Sequence, residues 1–386
     1  MSDGDSANGN RIVEMPQFTT RRVIQMLVVV LVLLGSIYFL FPKLVGLGDA
    51  MSKLDEADPL WIGIAIGFNV LAYATYIALF KAVVGGDALR LRWVETYEIN
   101  MAGVAATLLF SAGGAGGIAL TYWALRKAGM ARRDVARRMV AFISLHYAFY
   151  PLALILFGVL LRTGVLNGED SVELTIIPAA VAGVLIVIGI LVALIPTDVE
   201  RRLAPFAHGE KAKAFLHTAA KFPATLGEGF RFALGLFAHP SRGGLAVLGA
   251  AGYWAFSIGV LWASFHAFGV HVPLAVVVQG FFLGMVANLF PLAPAGVGAV
   301  DAGMIGAFVL FGIPEETVFP AVLIFRLVAF WMPIPPGVVA FFQLRNTVHR
   351  WEQEGLPIDR GGDAERDLEL AVGTVAPTPT ESYYKK

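Results

Sequence analysis

The long apolar stretches of this 386-residue sequence contain three acidic residues and one deep arginine: Glu95, Glu98, Asp301 and Arg326. A charge at the bilayer centre costs at least about 2.5–3.5 kcal/mol, so such residues are candidates for function. The guanidinium fork of an arginine fits a phosphate through two hydrogen bonds. An aspartate can hold that arginine in place, or take up a proton or a cation. Asp301 and Arg326 are therefore the first candidates for a binding site.

Asp301 follows the break Gly296-Val297-Gly298, at the predicted start of a helix. The free N–H groups of a helix N-terminus stabilise a carboxylate, so Asp301 is either a simple first-turn acid or the resting partner of Arg326. We expect Arg326 to bind a lipid phosphate, with Asp301 beside it. The alternative is a buried ion pair with a structural role only.

Glu95 and Glu98 are about one helical turn apart, at the start of a second broken segment that Arg126 closes. The two glutamates form the entrance to this segment or only cap its first turn. Six bases follow one another there: Arg126, Lys127, Arg132, Arg133, Arg137 and Arg138. They bind anionic head groups, set the membrane topology, or do both.

The remaining candidate binding residues carry no permanent charge. They are Ser111, Tyr122, His146, Asn288, Gly296 and Gly298. His146 lies close to Tyr147 and Tyr150 in one apolar run, where it lines a cavity or makes an interhelical hydrogen bond. Asn69 is another polar residue within a predicted span.

Six apolar runs are long enough to cross a bilayer, which takes about 20 residues. They are residues 23–41, 60–80, 139–161, 176–195, 245–268 and 318–342. Two further stretches, 95–128 and 273–312, are interrupted by Gly- or Pro-rich turns, and each predicts a re-entrant hairpin of two short helices. Pro333, Pro335 and Pro336 predict a break near the end of the last span. The fold class is an all-α polytopic membrane protein.

The order of these elements predicts an inverted-topology repeat, the arrangement of many secondary transporters. Residues 1–22 form a cytoplasmic tail, 23–161 the first repeat, 162–345 the second repeat, and 346–386 a disordered cytoplasmic tail. Each repeat contains two spans, a hairpin and a last span. The loop 196–244 is amphipathic, and it lies on the cytoplasmic leaflet or packs under the bundle.

Composition and charge agree with a membrane location. Hydrophobic residues make up 57% and charged residues 15% of the chain, against about 45–50% and 25% in soluble domains. When the N-terminus is placed inside, 25 of the 29 Lys and Arg residues fall in cytoplasmic segments. We expect both termini in the cytoplasm and a bacterial-type cytoplasmic membrane. Equal numbers of bases and acids disfavour nucleic acid.

Sequence motifs for catalysis are missing. The chain has no Cys, seven scattered His, and none of the P-loop, zinc-protease or serine-hydrolase motifs. We therefore expect no enzyme activity, no cofactor and no metal.

Three consecutive segments resemble the C-terminal signature of the lysylphosphatidylglycerol synthase transmembrane (flippase-like) family. They are Pro291-Leu-Ala-Pro-Ala-Gly-Val-Gly-Ala-Val-Asp-Ala-Gly303, Phe311-Gly-Ile313 and Val322-Leu-Ile-Phe-Arg326. Ala295 replaces a family Gly, and Asp301 replaces the usual Glu. The segment 124–129 is similar to the first motif of the family, although Ser111 and Gly113 stand where relatives often have Pro and Arg. The resemblance covers residues 23–345 without an aminoacyltransferase domain.

The resemblance implies a flippase-like translocase that moves a phospholipid or a lipid-linked sugar between leaflets, without an ATP site of its own. Its partners would be membrane lipids with anionic or polyprenyl-phosphate head groups. Two alternatives remain: a secondary transporter of a small soluble solute, and a non-transporting partner of a cell-envelope glycosyltransferase. An aminoacyltransferase is another possible partner.

Overall fold

The part of the chain that the structure describes is helical, with turns between the helices. The structure is a computed structural model, and it describes residues 56–85, 91–109, 115–168, 171–195, 210–286 and 298–354. The predicted span 23–41 and the tail 1–22 lie outside these residues. The helices are α1 Pro59–Val84, α2 Trp93–Leu109, α3 Ala115–Lys127, α4 Arg132–Arg162, α5 Ile176–Ala193, α6 Glu210–Ala238, α7 Pro240–His266, α8 Leu274–Met285, α9 Ala299–Leu310, α10 Glu315–Arg326 and α11 Ile334–Gln353.

Five helical segments are long and apolar enough to cross a membrane: Pro59–Val84, Arg132–Arg162, Ile176–Ala193, Gly243–His266 and Glu315–Gln353. They correspond to five of the six predicted spans, and the chain is a multi-pass α-helical membrane protein. The arms α8 and α9 have 12 residues each, or about 18 Å of helix. This is shorter than the hydrocarbon core of about 30 Å. Re-entrance of the hairpins stays a prediction, because these lengths do not define their depth.

The helices α1 and α7 pack against each other along their length and form the most extensive helix pair among the described residues. Glycines on α7 permit this close approach: a Cβ on Gly249 would lie 2.7 Å from the backbone N of Leu79, and one on Gly252 would lie 2.8 Å from Thr75 Cγ2. Small residues commonly allow membrane helices to approach in this way. At the other end of α1, Asp58 Oδ1 accepts the Leu60 N–H at 2.9 Å and caps the helix.

The two halves exchange contacts through their hairpins. The incoming arm of the first hairpin, α2, packs on α11 of the second half, and the incoming arm of the second hairpin, α8, packs on α4 of the first half. Gly337 on α11 permits the first contact, since a Cβ there would lie 2.7 Å from the carbonyl oxygen of Met101. Each hairpin is therefore held partly by the last helix of the other half.

The predicted loop 196–244 contains a long helix that packs against the bundle. Its C-terminal part contacts α4 and α5, where Arg231 Nη1 donates to the carbonyl of Ala193 at 2.8 Å. A Cβ on Gly227 would lie 3.0 Å from the carbonyl oxygen of Val192. Residues 223–238 therefore pack against the bundle, and contact of this helix with the leaflet stays a prediction. The side chains of residues 210–222 lie outside the description.

The last span differs from its prediction in its middle and at its C-terminal end. It is broken after Arg326, where a π-helical turn, Leu327–Trp331, precedes the predicted proline break. Helix α11 then continues to Gln353, so the beginning of the predicted disordered tail, residues 346–353, is helical. The reason is a stripe of buried side chains at helical spacing, Leu344, Val348 and Trp351. The remainder of that tail lies outside the described residues.

Candidate functional site

The outgoing arm of the second hairpin begins at a glycine with left-handed backbone geometry. Gly298 has φ +82° and precedes the first residue of α9. This conformation is strained for a residue with a Cβ. The Gly298 N–H donates to Asp301 Oδ2 at 2.9 Å, which closes one side of a capping box. Asp301 therefore does stabilise the first turn of α9, the simpler of its two predicted roles.

The other carboxylate oxygen of Asp301 binds Arg326, which lies at the end of α10. Arg326 Nε donates to Asp301 Oδ1 in a charge-assisted hydrogen bond. The side chains retain 9% (Arg326) and 19% (Asp301) of their exposure, so this ion pair is largely removed from solvent. The guanidinium also lies over the ring of Phe330, with its carbon 5.4 Å from the ring centroid. Asp301 thus connects the start of α9 with the end of α10.

The π-turn that follows Arg326 is bound by polar side chains of α1. Asn69 Nδ2 donates to the carbonyl oxygen of Val328 at 2.9 Å. The hydroxyl of Tyr73 donates to the carbonyl oxygen of Ala329 at 3.5 Å. Single π-turns often occur at functional sites.

The structure places His146 in a cluster of aromatic rings from α1, α4 and α7. Its ring centroid lies 5.0 Å from that of Tyr76, 4.8 Å from Tyr253 and 4.9 Å from Trp254. The ring is buried, and its Nδ1 has no hydrogen-bond partner among the described residues. Its surroundings are thus packed rings, and the described contacts do not bring it together with Asp301 and Arg326.

In the first hairpin the two glutamates have different environments. Glu95 Oε2 accepts the backbone N–H of Arg92 at 2.8 Å and its Oε1 accepts Arg92 Nε at 3.0 Å, so Glu95 caps α2. Glu98 is 5% exposed, and its Oε2 has no hydrogen-bond partner among the described residues. Tyr122 is half-buried on α3. Of the remaining candidates, Ser111, Asn288 and Gly296 lie outside the described residues.

Bases of the cytoplasmic cluster contact the protein itself. Arg138 is buried, and its Nη1 donates to three carbonyls at the C-terminus of α1, of residues 83, 84 and 85. Arg126 Nη1 donates to the carbonyl of Met130 at 2.6 Å. Three others form ion pairs: Lys127 with Glu352, Arg133 with Glu228, and Arg137 with Asp134. These contacts give the cluster a structural role beside any role at the membrane surface.

The described residues contain no group of three or more His, Cys, Asp or Glu side chains able to hold a metal ion. What the site does offer is one arginine whose partner is a carboxylate. Sequence reasoning missed Phe330 and Tyr73 as neighbours of this site. Phe330 had a signal, because it stands one turn after Arg326.

The family described as lysylphosphatidylglycerol synthase TM region matches residues 23–337. The chain belongs to this family. The matched range includes both hairpins, Asp301 and Arg326, and it agrees with the resemblance predicted for residues 23–345. Membership in the lysylphosphatidylglycerol synthase TM region family supports the membrane assignment made from the helices.

The chain is also similar over short stretches to three proteins named UPF0104 membrane protein from Methanothermobacter thermautotrophicus (strain Delta H). One is 34% identical over 87 residues, which is 22% of this chain and 26% of that relative. A second is 32% identical over 79 residues, 20% of this chain and 24% of the relative. The chain therefore aligns with about a quarter of the length of these relatives.

Proposed function

We propose that this protein moves a phospholipid or a lipid-linked sugar between the two leaflets of a bacterial-type cytoplasmic membrane, with both of its termini in the cytoplasm. The observation that supports this proposal is the Asp301–Arg326 pair at the junction of the second hairpin and α10. The lipid phosphate takes the place of Asp301 Oδ1 on the guanidinium. Asp301 Oδ2 keeps its bond to Gly298.

Energetics favour an exchange of partners over simple removal. A buried arginine that loses its carboxylate without a substitute is destabilised by about 3–5 kcal/mol. A phosphate restores the charge pairing and fits the planar fork of the guanidinium. The pair is therefore stable at rest and can accept an anionic head group. The lipid tails stay in the bilayer throughout.

The contacts between the halves support alternating exposure of this site. Each hairpin packs on the last helix of the other half, so a tilt of one half moves the hairpin of the other. Inverted-repeat transporters work by such movements around a site near the midplane. We propose neither catalysis nor ATP hydrolysis. The protein partner that we propose is a cell-envelope glycosyltransferase or an aminoacyltransferase.

A reconstitution experiment tests the proposal. Purified protein is placed in liposomes that contain fluorescent phosphatidylethanolamine, phosphatidylglycerol or a polyprenyl phosphate, and the dye accessible to an external quencher is followed over time. We expect faster movement of at least one of these lipids than in empty liposomes. Movement should be lost in Arg326→Met, and reduced in Arg326→Lys, which keeps the charge but loses the fork.

Arg345→Gln is the matched control, because Arg345 is an exposed arginine on the neighbouring helix α11. It should leave lipid movement unchanged. Failure of the protein to move any of these lipids, or equal rates in Arg326→Met and the wild type, would contradict the proposal. Uptake of a soluble solute in the same liposomes would instead favour the transporter alternative.

A further inference from the structure

The π-turn beside Arg326 receives its hydrogen bonds from the other half of the chain. Asn69 and Tyr73 are four residues apart, on one face of α1, and they donate to the consecutive carbonyls of Val328 and Ala329. Asn69 is 4% exposed, so its side-chain amide is buried inside the protein.

Proline chemistry leaves this turn one backbone donor short. In an α-helix the carbonyl of Ala329 would accept the amide of residue 333, four positions on. In the wider π register the same amide would serve Val328. Residue 333 is a proline and has no N–H. The side chains of α1 thus supply donors at a turn where the helix lacks one of its own, and water that could replace it is scarce within a membrane span.

The first half has a related contact that involves helix α7. Trp254 on α7 donates through Nε1 to the carbonyl of His146 at 2.7 Å, in the turn of α4 that precedes Pro151. Asn69 and Trp254 each stand nine residues after the start of their predicted spans, 60–80 and 245–268. Helices α1 and α7 therefore each donate to the last span of the opposite half, and both of these spans contain proline.

From these contacts we infer that Asn69, assisted by Tyr73, is a positioning residue for Arg326. By fixing the carbonyls of the π-turn, it fixes the end of α10 and the direction in which the guanidinium points. The part of this inference that concerns lipid binding rests on the proposed function. Trp254 makes the same type of bond to α4, and it therefore provides a matched control.

Distance measurements test the positioning without any lipid activity. Because the chain has no Cys, nitroxide labels can be attached only at introduced cysteines, Leu71→Cys on α1 and Leu327→Cys in the π-turn. These leucines are 46% and 45% exposed. We expect Asn69→Leu to broaden the label-to-label distance distribution at least about twofold, through loss of a hydrogen bond within a buried contact.

In the same measurement Trp254→Phe should leave the distribution unchanged. Tyr73→Phe, a milder change, should broaden it to a smaller degree and provides the test if Asn69→Leu does not fold. A distribution of unchanged width in the α1 variant that folds would overturn the inference.

Lipid titration then tests the consequence for Arg326. In the liposome assay, Asn69→Leu should raise the half-saturating concentration of the labelled phospholipid about fivefold, as expected for loss of about 1 kcal/mol of orientation. The maximal rate should change less, and in an Arg326→Lys background the effect should fall below about twofold. A lower maximal rate with an unchanged half-saturating concentration would contradict positioning.

The two proposals fail in different ways. If labels report a looser π-turn while the wild type moves no lipid, the positioning of Arg326 stands and the proposed function fails. If lipid movement depends on Arg326 but neither α1 variant changes the label distances, the proposed function stands and the role of Asn69 fails.

Discussion

The arms of both hairpins pack closely at glycine residues, but the two hairpins differ in their polar and charged side chains. In the first, a Cβ on Gly103 would lie 2.8 Å from Thr121 Oγ1 of the opposite arm. In the second, a Cβ on Gly284 would lie 2.7 Å from the Cα of Met304. Both pairs of arms therefore depend on glycine. The Gly103 contact is with a side-chain oxygen, whereas the Gly284 contact includes backbone atoms of Met304 as well as its side chain.

Their charged residues differ more sharply. In the first hairpin Glu95 binds Arg92, three residues away, and serves its own helix. In the second hairpin Asp301 binds both its own helix start and Arg326, which belongs to another helix. This difference indicates that similar hairpin frames do not imply equal roles. The second hairpin contains the candidate site, and the first contributes mainly to the scaffold.

The largest expected effect comes from separating the ion pair of the second hairpin. Asp301→Leu should lower the unfolding free energy by about 3–5 kcal/mol, because it leaves a buried arginine without its carboxylate. The double variant Asp301→Leu/Arg326→Met should recover most of this loss. Thermal unfolding in detergent measures both. Additive losses in the double variant would show that the two side chains stabilise the protein independently.

Glycine substitutions compare the packing of the two hairpins. Gly284→Ala should cost about 1–3 kcal/mol through overpacking, since the new methyl group meets backbone atoms of Met304. Gly103→Ala should cost less, because the hydroxyl of Thr121 can rotate away. Gly306→Ala is the control: nothing lies within 4 Å of its Cβ position. Equal losses in all three variants, measured by thermal unfolding, would refute the distinction.

The two glutamates of the first hairpin should respond differently to removal of their charge. Glu95→Gln should lower stability by about 1 kcal/mol, as for a weakened helix cap. Glu98→Gln should preserve or raise the unfolding temperature, since it removes a buried charge whose Oε2 has no hydrogen-bond partner among the described residues. A marked loss of stability in Glu98→Gln would reveal a stabilising partner for the carboxylate.

The smallest expected effect concerns the ion pair at the end of the first hairpin. Lys127 and Glu352 approach to 2.7 Å with partly exposed side chains. Lys127→Gln should change the unfolding free energy by less than about 1 kcal/mol, as for surface pairs in general. High salt should reduce even this difference. A loss as large as that of Asp301→Leu would remove the contrast between the hairpins.

Much of the fold followed from apolar run length alone, because a bilayer requires long uninterrupted helices. The pairing of Asp301 with Arg326 could also be predicted from the sequence, because a single buried base needs an acid and the membrane segments contain few acids. The π-turn after Arg326 could not be predicted in this way. Pro333 affects the carbonyls of earlier residues, and the donors to these carbonyls, Asn69 and Tyr73, come from a helix distant in sequence. The sequence likewise indicated a surface base at Arg138, whereas the structure shows its guanidinium bound to carbonyls at the C-terminus of α1.

The most direct test of the central claim is lipid movement by the double variant Asp301→Leu/Arg326→Met, assayed in liposomes beside the wild type. We predict that this variant regains thermal stability yet moves the labelled lipid no faster than protein-free liposomes. The ion pair would then be required for binding the head group and dispensable for the fold. Movement at the wild-type rate by the stable double variant would contradict the account.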